Sequence, residues 1–402
     1  MTSGRPTVTL PAERTCPFSP PAVYERMREE APVSRVALPS GGTAWALTRH
    51  EDVRAMLADP RFSSDRTNPG FPVFSEGQQQ LAARSRKTLI SMDPPEHGPA
   101  RRAVVGEFTV RRMEALRPRI QEIVDEHVEA MLDGPRPADL VKSLSLPVPS
   151  LVICELLGVP YEDHEFFQAR SSLLLRRSEP IARREQARDE LRDYLDELVT
   201  AKEQDPTDGD LLGRQILKQR ETGRGDHVDL VSLAVLLLIA GHETTANMIS
   251  LGTFALLEHP GERERLAQDP DAMPGAVEEL LRYFSIVDLV TARVATEDVE
   301  IGGVLIRAGE GVLGLGNSAN HDPGVYPRPH ELDIGRGDRH HVAFGYGAHQ
   351  CLGQNLARME LQMVFATLFR RIPGLRLAVP AGELPFKDDS NIYGLYELPV
   401  TW

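Results

Sequence analysis

Cys351 stands in the run Phe344-Gly345-Tyr346-Gly347-Ala348-His349-Gln350-Cys351-Leu352-Gly353, ahead of a stretch of helical period that begins near Gln354 and carries Leu356, Ala357, Met359 and Leu361. A cysteine at a helix start meets free backbone N–H groups and the positive end of the helix dipole, and both favour thiolate over thiol. The nearby glycines let a planar object approach the main chain closely. Two plainer readings stand beside this one: an inert buried cysteine after a turn, and a zinc cluster of His340, His341, His349 and Cys351. Zinc sites have little use for Phe and two glycines at such spacing.

A second constellation is Ala240-Gly241-His242-Glu243-Thr244-Thr245, inside a helical pattern from about Asp229 to Glu258 that it is expected to interrupt. Small residues open a helix, and a threonine hydroxyl can bend into the hydrogen-bond ladder and widen it locally. Glu243 next to Thr244 sets an acid beside an alcohol, which suits proton delivery; the alternative is a Thr-rich wet helix face. Glu279 and Arg282 lie three apart on one helix face, a weak signal in isolation.

Together these segments resemble the cytochrome P450 superfamily, with Phe344, Gly347, Cys351 and Gly353 matching its cysteine-ligand loop. The resemblance implies haem b with Cys351 as the axial thiolate of its iron. Ala240 and Gly241 would then leave room for dioxygen against the backbone, with Glu243 and Thr244 supplying protons. Glu279, Arg282 and Arg336 match the family's buried ion network that clamps the cysteine loop. His97, Arg101, Arg293 and His349 fall where the family places partners for the haem carboxylates. The likeness runs from about Cys16 to Trp402 and is nearest to soluble actinobacterial members; Arg307 and His242 are minor departures.

By the same resemblance, Phe74, Leu89, Leu175 and Leu236 line the substrate pocket. Ile239, Val287, Val290 and Ile392 complete a lining that is mostly apolar and suits a lipophilic small molecule. Once a haem domain is counted, 402 residues leave no flavin or iron–sulfur domain, so a separate ferredoxin and an NAD(P)H-dependent reductase are implied. Arg102, Arg339 and Arg358 are expected to form a basic docking patch for that ferredoxin, with Arg358 on the outward face of its helix.

The elements that must position these residues are mainly helical. Ala115 to Leu132 and Leu191 to Val199 repeat apolar residues at helical period, and the longest apolar stretch, Val231 to Ala240, is too short to span a bilayer and reads as a core helix. Strand signals cluster at Val33–Val36 and Ala44–Thr48 around Gly41-Gly42, at 299–301, 304–306 and 312–315, and at 394–402. The expected fold is thus α-rich with small β-sheets, the cytochrome P450 fold, in one domain over residues 1–402. A formal charge of −14 and 6% aromatic residues disfavour nucleic acid. Three dispersed cysteines and a polar start without a signal peptide indicate a reducing cytoplasm, and a monomer with no membrane attachment is expected. The function expected is a haem-thiolate monooxygenase that tailors a natural product, with broad xenobiotic oxidation or a haem-based ligand sensor as alternatives.

Overall fold

The structure is a computed structural model that describes residues 8–75, 77–223, 225–287 and 291–402. Helix accounts for 55% of it, with small sheets. Its contacts form two units made of interleaved chain segments.

The first unit comprises the stretch ending at Gly98, Leu281–Leu332 and Asp338–Cys351. A five-stranded sheet organises it, in the order Val33–Ala37, Thr43–Leu47, Gly311–Gly314, Ala292–Ala295, Phe62–Ser63. The expected hairpin is present, with Val33 opposite Leu47 and Ala37 opposite Thr43. Thr43–Leu47 runs parallel to Gly311–Gly314, and the other pairings are antiparallel. Because side chains alternate across a strand, Leu47 and Val312 enter one apolar cluster while Ala46 and Leu313 enter another. The ribbon Val299–Ile301 and Val304–Ile306 turns through Gly302 and Gly303, whose φ angles of +57° and +74° suit the tight turn of a two-residue hairpin.

The second unit comprises Pro99–Leu280, Asp333–Gly337 and Leu352–Trp402. Its centre is the 32-residue helix His227–Glu258, started by Asp226, whose carboxylate accepts the Asp229 N–H. By length and composition alone this helix could cross a membrane. It packs instead against Pro147–Leu157, Ile181–Gln204 and Gln354–Arg371, and the last of these packs on Val110–Asp133. A three-stranded sheet of Ala138–Asp139, Pro399–Thr401 and Arg376–Leu377 completes the unit. The break expected at 240–245 does not occur: the helix is continuous from His227 to Glu258.

Candidate functional site

In the first unit the cysteine segment is a chain of tight turns. Gly345 donates to the Val342 carbonyl (2.9 Å), Gln350 to Gly347 (3.1 Å) and Cys351 to Phe344 (2.8 Å). Gly347 has φ +71°, and a Cβ there would sit 2.5 Å from the Leu57 carbonyl oxygen, so only glycine fits. The loop leaves Cys351 exposed, three residues before the helix Gln354–Arg371. Behind it, the fully buried Arg282 donates to the carbonyls of Asn320 (2.8 Å) and Pro329 (3.0 Å). Asn320 in turn accepts the Val342 N–H (2.8 Å), which ties Arg282 to the entry of the loop. No group of three or more His, Cys, Asp or Glu among the described residues is arranged to hold a metal ion, so the zinc alternative lacks its ligands.

The same unit gathers cationic side chains. The rings of His97 and His349 stack at 4.1 Å, and Ser64 Oγ lies 3.2 Å from His349 Nε2. Burial, helped by Arg293 and His97, pulls His349 down to about 4. Burial likewise pulls Arg293 down to about 10, against Asp93 and with the help of Arg66. Arg66 is itself lowered by desolvation, and sequence reasoning missed it because no motif marks it. Asp93 is already engaged by the Ser64 N–H (2.7 Å) and the Ser63 hydroxyl. Positive charge buried in this way is costly without anions, so the set fits a ligand that brings carboxylates, as haem does. Arg101 follows His97 by one turn of the helix His97–Val104.

In the second unit, the long helix leaves Ala240 exposed and Leu236, Ile239 and Thr244 half-buried, a stripe at spacings of three to four on a helix with most of its other residues buried. Thr244 Oγ1 donates to the Ala240 carbonyl (2.8 Å), a bond the unbroken helix absorbs. Gly241 faces elsewhere: a Cβ on it would lie 2.6 Å from Ile153 Cδ1, so the close approach of the helix Pro147–Leu157 accounts for this glycine and Ala240 alone is the small residue of the stripe. His242 is fully buried, with Nδ1 on the Leu238 carbonyl (2.6 Å) and its ring edge-on to Phe167, and burial lowers its pKa. Glu243 is only 4% exposed. Asn247 donates to its carbonyl (2.8 Å), and Lys387 Nζ lies 3.6 Å from its Oε2.

Glu279, wholly buried, accepts the Asp333 N–H (3.1 Å) and pairs with Arg336 at 3.2 Å. Arg358 corrects an expectation. Its guanidinium is not outward but grips Glu278 with two bonds, Nε to Oε1 at 2.7 Å and Nη2 to Oε2 at 3.1 Å, and the side chain is 15% exposed. The helix Gln354–Arg371 turns this position toward Met273–Phe284, where a buried carboxylate needs a cation. Arg102 and Arg339 are exposed, as docking would require.

Of the residues expected to line a substrate pocket, Phe74, Leu89 and Val287 belong to the first unit and Leu175, Leu236, Ile239 and Ile392 to the second. Phe74 packs on the apolar cluster of Leu10, Tyr24 and Val36, and the backbone of Leu89 hydrogen-bonds to His349. Leu175 and the buried Ile392 are brought near one another, since the Leu175 carbonyl accepts the Asn391 N–H (3.0 Å). Val287 is half-buried, and Val290 lies outside the described residues. Sequence reasoning also missed a cavity of about 330 Å³ beside Glu243, whose lining includes Lys387, Gln168 and Tyr396.

Comparison with known proteins gives a consistent result. The family model "Cytochrome P450" matches residues 23–373. Pentalenic acid synthase of Streptomyces avermitilis is 52% identical over 401 residues, covering 100% of this chain and 99% of that protein. Among solved structures, cytochrome P450 MoxA from Nonomuraea recticatena (CYP105) is 60% identical with a TM-score of 0.92, covering 98% of each chain. The mycinamicin VIII C21 methyl hydroxylase MycCI from Micromonospora griseorubida, bound to mycinamicin VIII, is 44% identical with a TM-score of 0.93, covering 98% of this chain and 100% of that one.

Proposed function

The chain belongs to the cytochrome P450 family and is a haem-iron monooxygenase, and from that premise we propose that it hydroxylates a lipophilic natural product with electrons from a ferredoxin and its NAD(P)H-dependent reductase. The observation that carries the reading is the stripe Leu236, Ile239, Ala240 and Thr244, apolar apart from one hydroxyl and next in sequence to a buried acid. Relatives named for pentalenic acid and mycinamicin VIII support a secondary-metabolite substrate. The whole chain, residues 1–402, would act as one haem domain, monomeric and cytoplasmic.

Haem b bound to this protein supplies the activation of dioxygen and the insertion of one oxygen atom into a substrate C–H bond. Cys351 would hold the iron through its thiolate, from a loop whose shape Gly345 and Gly347 fix with φ of +69° and +71°. His97, Arg101, Arg293 and His349, with Arg66 beside Arg293, would neutralise the haem carboxylates. Leu236 and Ile239 would hold the substrate and keep water from it. Thr244 Oγ1 would pass on protons taken from the Glu243 carboxyl. Arg282 and the Glu279–Arg336 pair would set geometry more than stability, since desolvation offsets much of the Coulomb gain.

The test is product analysis with purified protein, ferredoxin and reductase against a panel of macrolides, terpenoid acids and unrelated xenobiotics. Regioselective oxidation of one natural-product class is expected. Equal turnover of the xenobiotics would favour broad detoxification, and spectral binding without product would favour a sensor.

A further inference from the structure

Leu175 and Ile392, both expected at the substrate pocket, lie on two segments of the helical unit that meet edge to edge. The helix His164–Leu175 ends where Arg176 turns extended, with φ −75° and ψ 124°. Arg176 then pairs with Ser390 as an isolated antiparallel bridge, which seats the chain after the helix against the tip of a hairpin over residues 385–396. In that hairpin Phe386 stands opposite Leu395, the Lys387 N–H donates to the Gly394 carbonyl (2.9 Å) and the Tyr396 N–H to the Pro385 carbonyl (2.9 Å). Its base is held by packing: the Phe386 ring lies edge-on to Phe254 of the long helix at 5.7 Å and stacks on Tyr393 at 5.9 Å.

Polar groups hold the tip. Asp389 Oδ2 accepts the Ser178 hydroxyl (2.6 Å) and Oδ1 the Tyr396 hydroxyl (2.6 Å), so one half-buried carboxylate joins the chain after the helix to the hairpin's own base. The Arg177 N–H donates to the Asp389 carbonyl (2.7 Å), and its guanidinium forks onto the carbonyls of Asp388 (2.5 Å) and Ser390. Because the Leu175 carbonyl accepts the N–H of Asn391, the residue before Ile392, the spacing of Leu175 and Ile392 follows this latch. Against the cost of burial, hydrogen bonds led by the two hydroxyls hold Asp389 below the ordinary carboxylate range. Burial, with the bond to Asp389, pushes Tyr396 up to about 12. At neutral pH the acid is thus a charged acceptor and the phenol a donor, the pairing that gives short, strong bonds. Ser178 is exposed, so the latch meets water and can open without unpacking the aromatic base.

Resting on the reading of Leu175 and Ile392 as pocket residues, we propose that Asp389 is a positioning residue for substrate selection: its latch fixes how far Ile392 stands from Leu175, and with it the bulk of the lipophilic ligand that the pocket admits. With the latch closed, slender ligands enter and bulky ones wait for it to open. With the latch broken, the tip moves on its aromatic base and bulky ligands enter faster, while small ones gain nothing.

Azoles that ligate haem iron are the probes, in the haem-loaded protein and without turnover: imidazole as the small one and clotrimazole as the bulky one, each followed by its Soret shift in stopped flow. Asp389→Ala should raise the clotrimazole association rate by about fivefold or more and leave that of imidazole within about twofold. Ser178→Ala combined with Tyr396→Phe removes both donors and keeps the acid; it should reproduce the change, and adding Asp389→Ala to it should add nothing further. Should Asp389→Ala fail to hold haem, that pair of substitutions carries the same test. Equal changes for both probes, or none for clotrimazole, overturn the role of Asp389. Amide hydrogen exchange reads the latch with no ligand: Arg177 and Asn391 should exchange about tenfold faster or more in Asp389→Ala, and unchanged rates overturn the latch. Leu175→Trp and Ile392→Trp test the underlying reading, since each should weaken clotrimazole by about fivefold or more with imidazole binding kept as the check on the fold. If neither weakens it, the pocket reading fails and this inference with it. If they do while the latch variants leave clotrimazole unchanged, the pocket reading stands and the latch falls.

Discussion

Exchanging the Cys351 thiolate for a serine hydroxyl removes the soft, electron-rich donor while changing one atom, so the loop turns at Gly345 and Gly347 should persist. Cys351→Ser is expected to lose the red-shifted Soret band of the ferrous carbonyl complex; a band that survives would show that another side chain holds the iron. Thr244 makes a different kind of contribution. Its hydroxyl already bonds the Ala240 carbonyl within its own helix, so Thr244→Ala removes a local bond with little effect on stability, within about ±0.5 kcal/mol. On the proposed role it also takes away a proton carrier at the half-buried end of the stripe, and product formed per NAD(P)H should fall by about tenfold or more while hydrogen peroxide accumulates. If the ratio stays at the wild-type value, Thr244 serves only the helix.

Elements differ in how much of their role can be read from local sequence. The hairpin at 33–47 and the ribbon at 299–306 were legible because alternation and turn glycines are local features. Strands of two residues, such as Phe62–Ser63 and Arg376–Leu377, have no period to display. The cysteine loop could be read from its own glycines, but the stacking of His97 on His349 joins residues far apart in the chain. For the same reason nothing near Arg358 pointed to Glu278, and nothing near Lys387 pointed to Glu243. Gly241 was read as part of an oxygen groove, and the close approach of Ile153 across a helix interface, which local sequence does not display, is a separate packing reason for a glycine there. Gly241→Ala tests that: an ordinary helical Gly→Ala change stabilises by up to about 1 kcal/mol, whereas crowding against Ile153 should reverse the sign by about 1–2 kcal/mol. Adding Ile153→Val should recover most of the loss, and a stabilised single variant would sink the packing account. Arg358→Glu sets a carboxylate against Glu278, which is 1% exposed in its side chain, and should cost about 3–5 kcal/mol. Thermal unfolding should fall accordingly, with ferredoxin-driven and peroxide-driven turnover lost together.

At the scale of the whole molecule, charge sets the terms for the electron donor. The chain carries 59 acidic against 45 basic side chains, a formal charge of −14, so an acidic ferredoxin is repelled at long range and must be held by local positive charge. With Arg358 committed to Glu278, the docking proposal rests on Arg102 and Arg339, both exposed. Reversing either one turns an attraction into a repulsion at a surface where salt screens charges more than about 10 Å apart at 0.1 M. Arg102→Glu and Arg339→Glu, each made alone, should therefore slow ferredoxin-driven turnover several-fold through a weaker association rate, and should flatten its dependence on salt. Turnover driven by peroxide bypasses the donor and should be unchanged in both. A variant that keeps the wild-type rate and salt dependence removes that arginine from the docking surface. One that loses peroxide-driven turnover as well shows that the arginine supports the fold or the haem.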